Sequence, residues 1–432
     1  MKDGSGLTMA PCDASDVLQS FKSVTPPLAA AGVADSAPPV APPALTEAVL
    51  LDTVVSFKGA VGGADVQHIE LSGFRITHAA TTQLKQYEIP SGGDWSVGRF
   101  GSVTLEQATD IAVTANYFDS VGGNAVGLFN KAKRNSISGN RCSFPGDSCI
   151  VSIGSSNLVD GTADTYPSDN HIANNWMHDV GVFGKETSCY FQAVSGQNTI
   201  QDNVCYNGPR AGINFNDGFL GNNTVQGNLV FNMVRETGDH GPFNSWDRVP
   251  YVTKRNDGTY SNTPIPHTIK NNFIINGYNG VWALDHDDGS SYYNDSSNFL
   301  VYGGCKNYKG DHKHCGPDNV IIYPGIDSRA SGSRSCQTND NAGFSYQVYQ
   351  GNTCVQYDGE FYTFSGNSLD PAQVPFTANN SFYSRKAVFS YNNGKAGLKD
   401  LQKVGLDLGS TVSDLPTVAE MVAWGKAAVG FE

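Results

Sequence analysis

The chain has 432 residues and a net charge of −13, and charged residues make up only 16% of it. That balance argues against nucleic acid and anionic membranes as partners, since both need Lys and Arg to neutralise phosphate. No run approaches the ~18 apolar residues of a membrane span, and neutral partners such as glycans stay open.

Residues 1–45 come first, and their core "VTPPLAAAGVADSAPPVAPPAL" is Pro- and Ala-rich without a period. This predicts a poorly ordered lead-in. The opening "MKDGSGLTMAPCDASDV" lacks the apolar core of a signal peptide. From residue 46 to about 410 the pattern changes to short β-rich runs broken by Gly, Asn and Asp, in a chain that holds 48 Gly. Gly and Asn accept left-handed backbone, so this region must turn often. Within it, "PSGGDWSVGRFGSV" sets Asp94, Trp95 and Arg99 between glycines, as a loop over a cleft or as a bulge.

An internal repeat dominates the next stretch. Six segments place an apolar residue three before an Asn: Val113–Asn116, Ile137–Asn140, Ile172–Asn175, Ile200–Asn203, Val225–Asn228 and Ile269–Asn272. In four of them a second Asn precedes the apolar position by two, at Asn135, Asn170, Asn198 and Asn223. Each unit is too small to bury a face alone, and stacking successive units closes a shared core. The expected fold is therefore all-β, a single-domain right-handed parallel β-helix. Its aligned Asn residues should form ladders at roughly 4.8 Å, the strand spacing. Antiparallel hairpins with Asn-Gly turns are the competing reading, and they predict no such long register.

A second strand follows each Asn turn: "NAVGLFN", "DSCIVSIG", "SCYFQAVS", "AGINFND", "GPFNSWD" and "NGVWALDHDD". Stacking puts their C-terminal ends on one edge. Three successive units then present Asn216 and Asp217, Asp247, and Asp285, Asp287 and Asp288 together. Polar residues 249–267 read as a loop walling a cleft there. Stacked like charges raise pKa values, which a purely structural edge avoids but an acid/base pair exploits. Carboxyl groups on adjacent rungs suit retaining glycoside hydrolysis, and a two-rung gap suits inversion. The chosen pair is Asp247 with Asp288, Asp287 standing as understudy and Asp239 and His240 beside them. Trp246, Trp282, Tyr292, Asn216, Asp217, Arg210, Glu236 and His286 are candidates for holding a sugar. "DHDDGSS" offers oxygen ligands, so calcium is the one metal considered, but it lacks the spacing of the D-x-D-x-D-G calcium loop. No other cofactor is expected. Residues 411–432, with "SDLPTVAEMVAWGKAA", predict a helix from about Pro416 that caps the last rung.

Eight of the nine Cys fall into close pairs, Cys142 with Cys149, Cys189 with Cys205, Cys305 with Cys315 and Cys336 with Cys354, leaving Cys12 over. Spacing alone does not prove the connectivity, but local pairs suit an oxidised, secreted protein. Asn222, Asn294 and Asn379 sit in glycosylation sequons. An extracellular protein whose true start lies upstream is expected. Nothing in the sequence sets the oligomeric state.

The stretches "IELSGFRITHA", "YEIPSGGDWSV", "GPRAGINFNDG", "RETGDHGPFNSWDR" and "LDHDDGSSYYNDSSNFLVYGG" together resemble the glycoside hydrolases of family 141, right-handed β-helix proteins. That family includes fucosidase and xylanase activities, and the resemblance covers about residues 45–430. It implies a glycosidase acting on a polysaccharide or its side chains, with Asp247 and Asp288 as the matching acid and nucleophile or base. The chain departs from the family at residues 1–44, which supply neither a clear signal peptide nor the further N-terminal strands. Two alternatives stand beside this reading. A polysaccharide lyase or uronate epimerase would need Arg210, Arg235 or Arg248 to neutralise a substrate carboxylate. A non-catalytic carbohydrate-binding solenoid would need no acid pair.

Overall fold

The computed structural model describes residues 49–430 apart from 61, 87–97, 156–163, 217–219, 247–252, 255–259, 262–263, 278–279, 325–334, 341–345, 365–369, 371, 373 and 392–393. The expected lead-in, Asp94, Trp95, Asp217, Asp247 and much of the 249–267 loop lie outside the described residues. What is described is the parallel β-helix the repeat implies. Successive coils each give one strand to three long sheets, A, B and C, of 14, 11 and 12 strands respectively among the described residues. Pairing between coils is parallel throughout the stack, from Val55–Lys58 on Val103–Thr109 to Ser381–Tyr383 on Thr411–Ser413.

The coils stack in register because the turns between sheets B and C repeat the same two-residue device. A left-handed residue (Ala115, Gly139, Asn174, Asp202, Gly227, Asn271) is followed by a buried Asn. Each Asn Oδ1 accepts both the backbone N–H and the side-chain amide of the Asn one coil earlier. Asn140 receives Asn116 at 2.9 and 3.1 Å, and Asn175 receives Asn140 at 3.0 and 3.0 Å. The ladder runs on through Asn203, Asn228, Asn272 and Asn298 to Asn319, Asn352 and Asn380, four rungs further than the sequence motif shows. The second ladder, Asn135 to Asn170 to Asn198 to Asn223, ends on the ring of His267.

Inward residues fill the lumen with Val, Ile, Leu and Phe, for example Val126, Ile150, Ile213, Phe243 and Leu284. The four disulfides join the sequence-adjacent cysteines, Cys142–Cys149, Cys189–Cys205, Cys305–Cys315 and Cys336–Cys354. All eight sulfurs belong to this core.

Helix α1 (Leu398–Lys403) seats Leu401 in the core of the last coils, with Leu406 beside it. Helix α2 (Val418–Ala428) starts at an N-cap Thr417, whose side chain and that of Glu420 cap each other's backbone N–H. It does not cover the last rung. Met421 and Trp424 pack sideways onto Phe299, Ile322 and Val355 on the outer face of sheet C. That face is apolar at those coils, so lying along it takes the apolar side of the helix out of water. Gly425 permits the approach, since a Cβ there would come within 3.3 Å of the Phe299 ring.

Candidate active site

Strands alternate inward and outward residues, and the outward residues of sheet A change character along the stack. In the early coils they are apolar and buried: Phe129, Val151, Ile153, Phe191 and Ala193. From strand β1 (Ile213–Asn216) they turn polar. Strands β2 (Phe243–Trp246), β3 (Trp282–His286) and β5 (Gly304–Tyr308) continue the sheet, with β4 (Tyr293–Ser296) in sheet B between the last two. Register aligns Asn214 with Asn244, Asn244 with Asp285 and Asp285 with Lys306 in one outward column. A second column holds Asn216 and Trp246. Asp287 continues β3, its N–H donating to Ser245 O at 2.9 Å.

Lys306 binds the two carboxylates together. Its Nζ is 2.9 Å from Asp285 Oδ1 and 2.6 Å from Asp287 Oδ1. Its ammonium also lies 4.3 Å from the centre of the Trp282 ring and 4.5 Å from that of Tyr308. Burial, with the Asp287 charge adding to it and Lys306 only partly offsetting it, pushes the Asp285 carboxyl up to about 7. Burial acts upward on Asp287 too, but Lys306 outweighs it and holds that carboxyl below its ordinary value. Burial opposes the charge on Lys306, yet the two carboxylates keep it above the usual lysine range. One side chain therefore carries a proton near neutrality while its neighbour is ionised. Asp285 is 0% exposed, whereas the Asp287 side chain is 22% exposed and opens toward solvent.

Next to this trio Arg210 donates to the His240 ring, with Nη2 2.7 Å from Nε2, and pairs with Glu186. Burial, then the Arg210 charge, pushes His240 down to about 3, so the ring is neutral. Several polar atoms of the floor have no hydrogen-bond partner among the described residues: Asn214 Nδ2, Asn244 Oδ1, Trp282 Nε1 and Asp285 Oδ2. The buried floor thus carries both unpaired donors and unpaired acceptors, groups that sugar hydroxyls can satisfy.

The sequence candidates divide accordingly. Asp287, His240, Arg210, Trp246, Trp282 and Asn216 belong to the floor or its flank. Asp239 is exposed and acts on Asp285 through its charge. Asp288 sits at the exposed rim, paired with Lys309 at 2.6 Å. Glu236 is exposed and paired with Lys185 at 3.0 Å. His286 is not a sugar ligand, because alternation turns it into the lumen, where its Nε2 lies 2.8 Å from Asp295 Oδ2. Tyr292 stacks on His312 at 4.7 Å, and His312 stacks in turn on Tyr346. Arg99 reaches across the early coils to Asn130 and the Ile153 carbonyl. The carboxylates of "DHDDGSS" have lysine partners, and among the described residues no three His, Cys, Asp or Glu side chains group as a metal site.

Lys306 and the leading place of Asp285 were missed. Aligning Cys305 with Leu284, each the inward apolar residue of its strand, would have put Lys306 on Asp285.

No protein family and no curated protein matches the chain. Among solved structures it is similar to one described as a glycoside hydrolase, at 11% identity and TM-score 0.39, covering 84% of this chain and 50% of that one. It is similar to the catalytic unit of a GH87 alpha-1,3-glucanase from Streptomyces thermodiastaticus, at 10% identity and TM-score 0.40, covering 82% and 57%. A mannuronic acid specific polysaccharide family 6 lyase from human gut microbiota gives 9% identity and TM-score 0.40, covering 83% and 88%. The chain spans little more than half the length of the first two. None is close enough to transfer a residue or a reaction.

Proposed function

We propose that the chain is a carbohydrate-active enzyme that hydrolyses glycosidic bonds of a polysaccharide or its side chains, with Asp285 as the acid and Asp287 as its ionised partner. The observation that carries this reading is one ammonium, Lys306, held between a carboxyl pushed up to about 7 and a second held down. Two carboxyl groups with separated proton affinities are what glycoside hydrolysis requires. Sharing one ammonium keeps them at or below the roughly 5–5.5 Å used for retention. Asp285 would protonate the leaving oxygen as Asp287 attacks the anomeric carbon, and a water deprotonated by Asp285 would then displace Asp287 and release the sugar. Lys306 keeps Asp287 ionised. The substrate has to reach Asp285 by the side that Asp287 opens. Asn244 Nδ2 donates to Asn214 Oδ1 at 2.7 Å, which leaves Asn214 Nδ2, Asn244 Oδ1 and the Trp282 N–H to meet sugar hydroxyls. The resemblance to glycoside hydrolase family 141 implies a glycosidase but points to Asp247 and Asp288, so the Asp285–Asp287 assignment rests on the geometry around Lys306. Four disulfides fit an oxidising, extracellular setting.

A lyase or epimerase would need a cation for a substrate carboxylate. Arg210 and Lys306 are cations at the floor, and both already hold protein carboxylates.

The test is a panel of plant and algal polysaccharides scored for new reducing ends and for the ultraviolet absorbance of an unsaturated sugar. Reducing ends without that absorbance are expected. On a cleaved substrate, Asp285→Asn and Asp287→Asn should each lose at least about 100-fold in kcat, and Asp288→Asn less than about tenfold. If Asp247→Asn and Asp288→Asn abolish turnover while Asp285→Asn retains it, the working pair is the one read from sequence and the Asp285 assignment fails.

A further inference from the structure

We infer that Ser245, His286 and Asp295 form a strut inside the solenoid that positions the strand carrying Asp285 and Asp287. The inference takes from the proposed function only that these two carboxylates work as a pair.

Ser245 Oγ lies 2.8 Å from His286 Nδ1, and His286 Nε2 lies 2.8 Å from Asp295 Oδ2. That is the Ser–His–Asp order and spacing of a nucleophilic triad, with the two ring nitrogens exchanged. It cannot act as one here. All three residues are 0% exposed in the lumen, and the Ser245 hydroxyl is directed to Ser290 Oγ at 3.0 Å. With chemistry closed to it, what the constellation does is hold position.

Three features give that position consequence. His286 is the residue between Asp285 and Asp287, so a ring locked inward forces both carboxyl groups outward. Its restraints come from two directions: Ser245 is its register partner one coil earlier, and Asp295 belongs to β4 on another sheet of its own coil. The Phe243 and Tyr293 rings, 5.7 and 4.3 Å away, close the remaining sides. The strand also needs holding. The register between β3 and β5 shifts between Trp282 and Leu284, a bulge immediately before Asp285. A bulge frees a strand to twist and re-aims its side chains, commonly beside active sites. The strut fixes the strand again within two residues of it.

The composition of the coil agrees. Asp295 stands where the six preceding units of the Asn repeat have Ile or Val, in register with Ile269. A carboxylate in that apolar slot costs stability unless it is paired, and His286 is its partner. The equivalent inward positions of the adjoining sheet A strands hold Phe215 and Ser245 before it and Asn307 after it. His286 with Asp295 thus belongs to the coil of the proposed acid pair.

The test needs no substrate. Aspartate carboxyls are labelled with carbon-13 and titrated by NMR, and the Asp285 signal is assigned by its loss in Asp285→Asn. In the wild type one carboxyl should titrate near 7, the value its surroundings give it. His286→Leu and Asp295→Leu should move that midpoint down by about one unit or more, as the carboxyl turns toward water. Asp295→Asn keeps an acceptor for the ring and should stay within about 0.3 unit of wild type. Phe382→Leu, a lumen substitution in a later coil, should lower thermal stability without moving the midpoint. If His286→Leu does not fold, Ser245→Ala removes one hydroxyl and should shift the midpoint by about half a unit. A folded His286→Leu or Ser245→Ala that titrates as wild type overturns the strut. A wild-type protein with no carboxyl near 7 overturns the acid assignment itself, and with it any purpose for the strut.

Discussion

At the scale of single residues, pH is the most direct probe of the floor. Asp285 ionises near 3.8 in the unfolded chain and near 7 in the fold, because burial withholds water from its carboxylate. Between those values the folded protein keeps a proton that the unfolded chain has released. Stability therefore falls as pH rises through that window, by up to roughly 4 kcal/mol, and is constant above it. His240 runs the other way. Its folded value of about 3 lies below 6.5, so its contribution is full above pH 6.5 and is lost as pH falls toward 3. The two slopes oppose each other between about pH 4 and 6.5, so Asp285→Asn should make stability rise more steeply with pH across that range than in the wild type, measured by urea unfolding. A profile unchanged by the substitution would mean that Asp285 ionises normally. The same proton predicts that kcat/KM declines about tenfold per pH unit above 7. These residues were half legible in the sequence. An acidic cluster near 285–288 was plain, but its sorting was not. Asp285, Asp287 and Asp288 lie within four residues of chain yet sit in burial, at the opening and at the rim.

At the scale of the repeated element, the Asn ladder should be worth more per residue than its size suggests. Asn203 donates to Ile172 O and Asn228 Oδ1 at 3.0 Å each, and accepts from the N–H and amide of Asn175 at 2.9 and 3.0 Å. Asn203→Ala deletes all four bonds and strands buried groups on both neighbouring coils, at a cost of about 3–4 kcal/mol. Asn232→Ala, at an exposed left-handed turn, should cost only about 1 kcal/mol. Urea midpoints separate the two, and equal shifts would show that the ladder contributes nothing special. Six rungs of this ladder were readable because an apolar residue precedes each Asn by three. The remaining four were hidden because that inward slot holds Asp295, Cys315, Tyr349 and Thr377 in register instead. The motif failed where the lumen turns polar, around the coil that carries His286.

For the molecule as a whole, the Asn period sufficed to predict a stacked parallel fold, since only stacking satisfies so many small units. It did not predict what the C-terminal helix covers. Periodicity shows that a helix has an apolar face and says nothing about its partner. Ending the chain at Pro416 should uncover Phe299, Ile322 and Val355, raising the fluorescence of a hydrophobic dye and promoting self-association in sedimentation. A truncated protein that binds no extra dye would place the helix elsewhere. The cystines carry a last consequence. Each ties sheet A to one of the other two walls, two of them in the coils before β1 and two in the coils from β5 onward. The three strands between them, β1 to β3, carry none. A thiol reductant would thus loosen the flanks of this column and leave β1 to β3 standing on stacking alone, and it would reach the region proposed for chemistry from one side, through Cys305 next to Lys306 on β5.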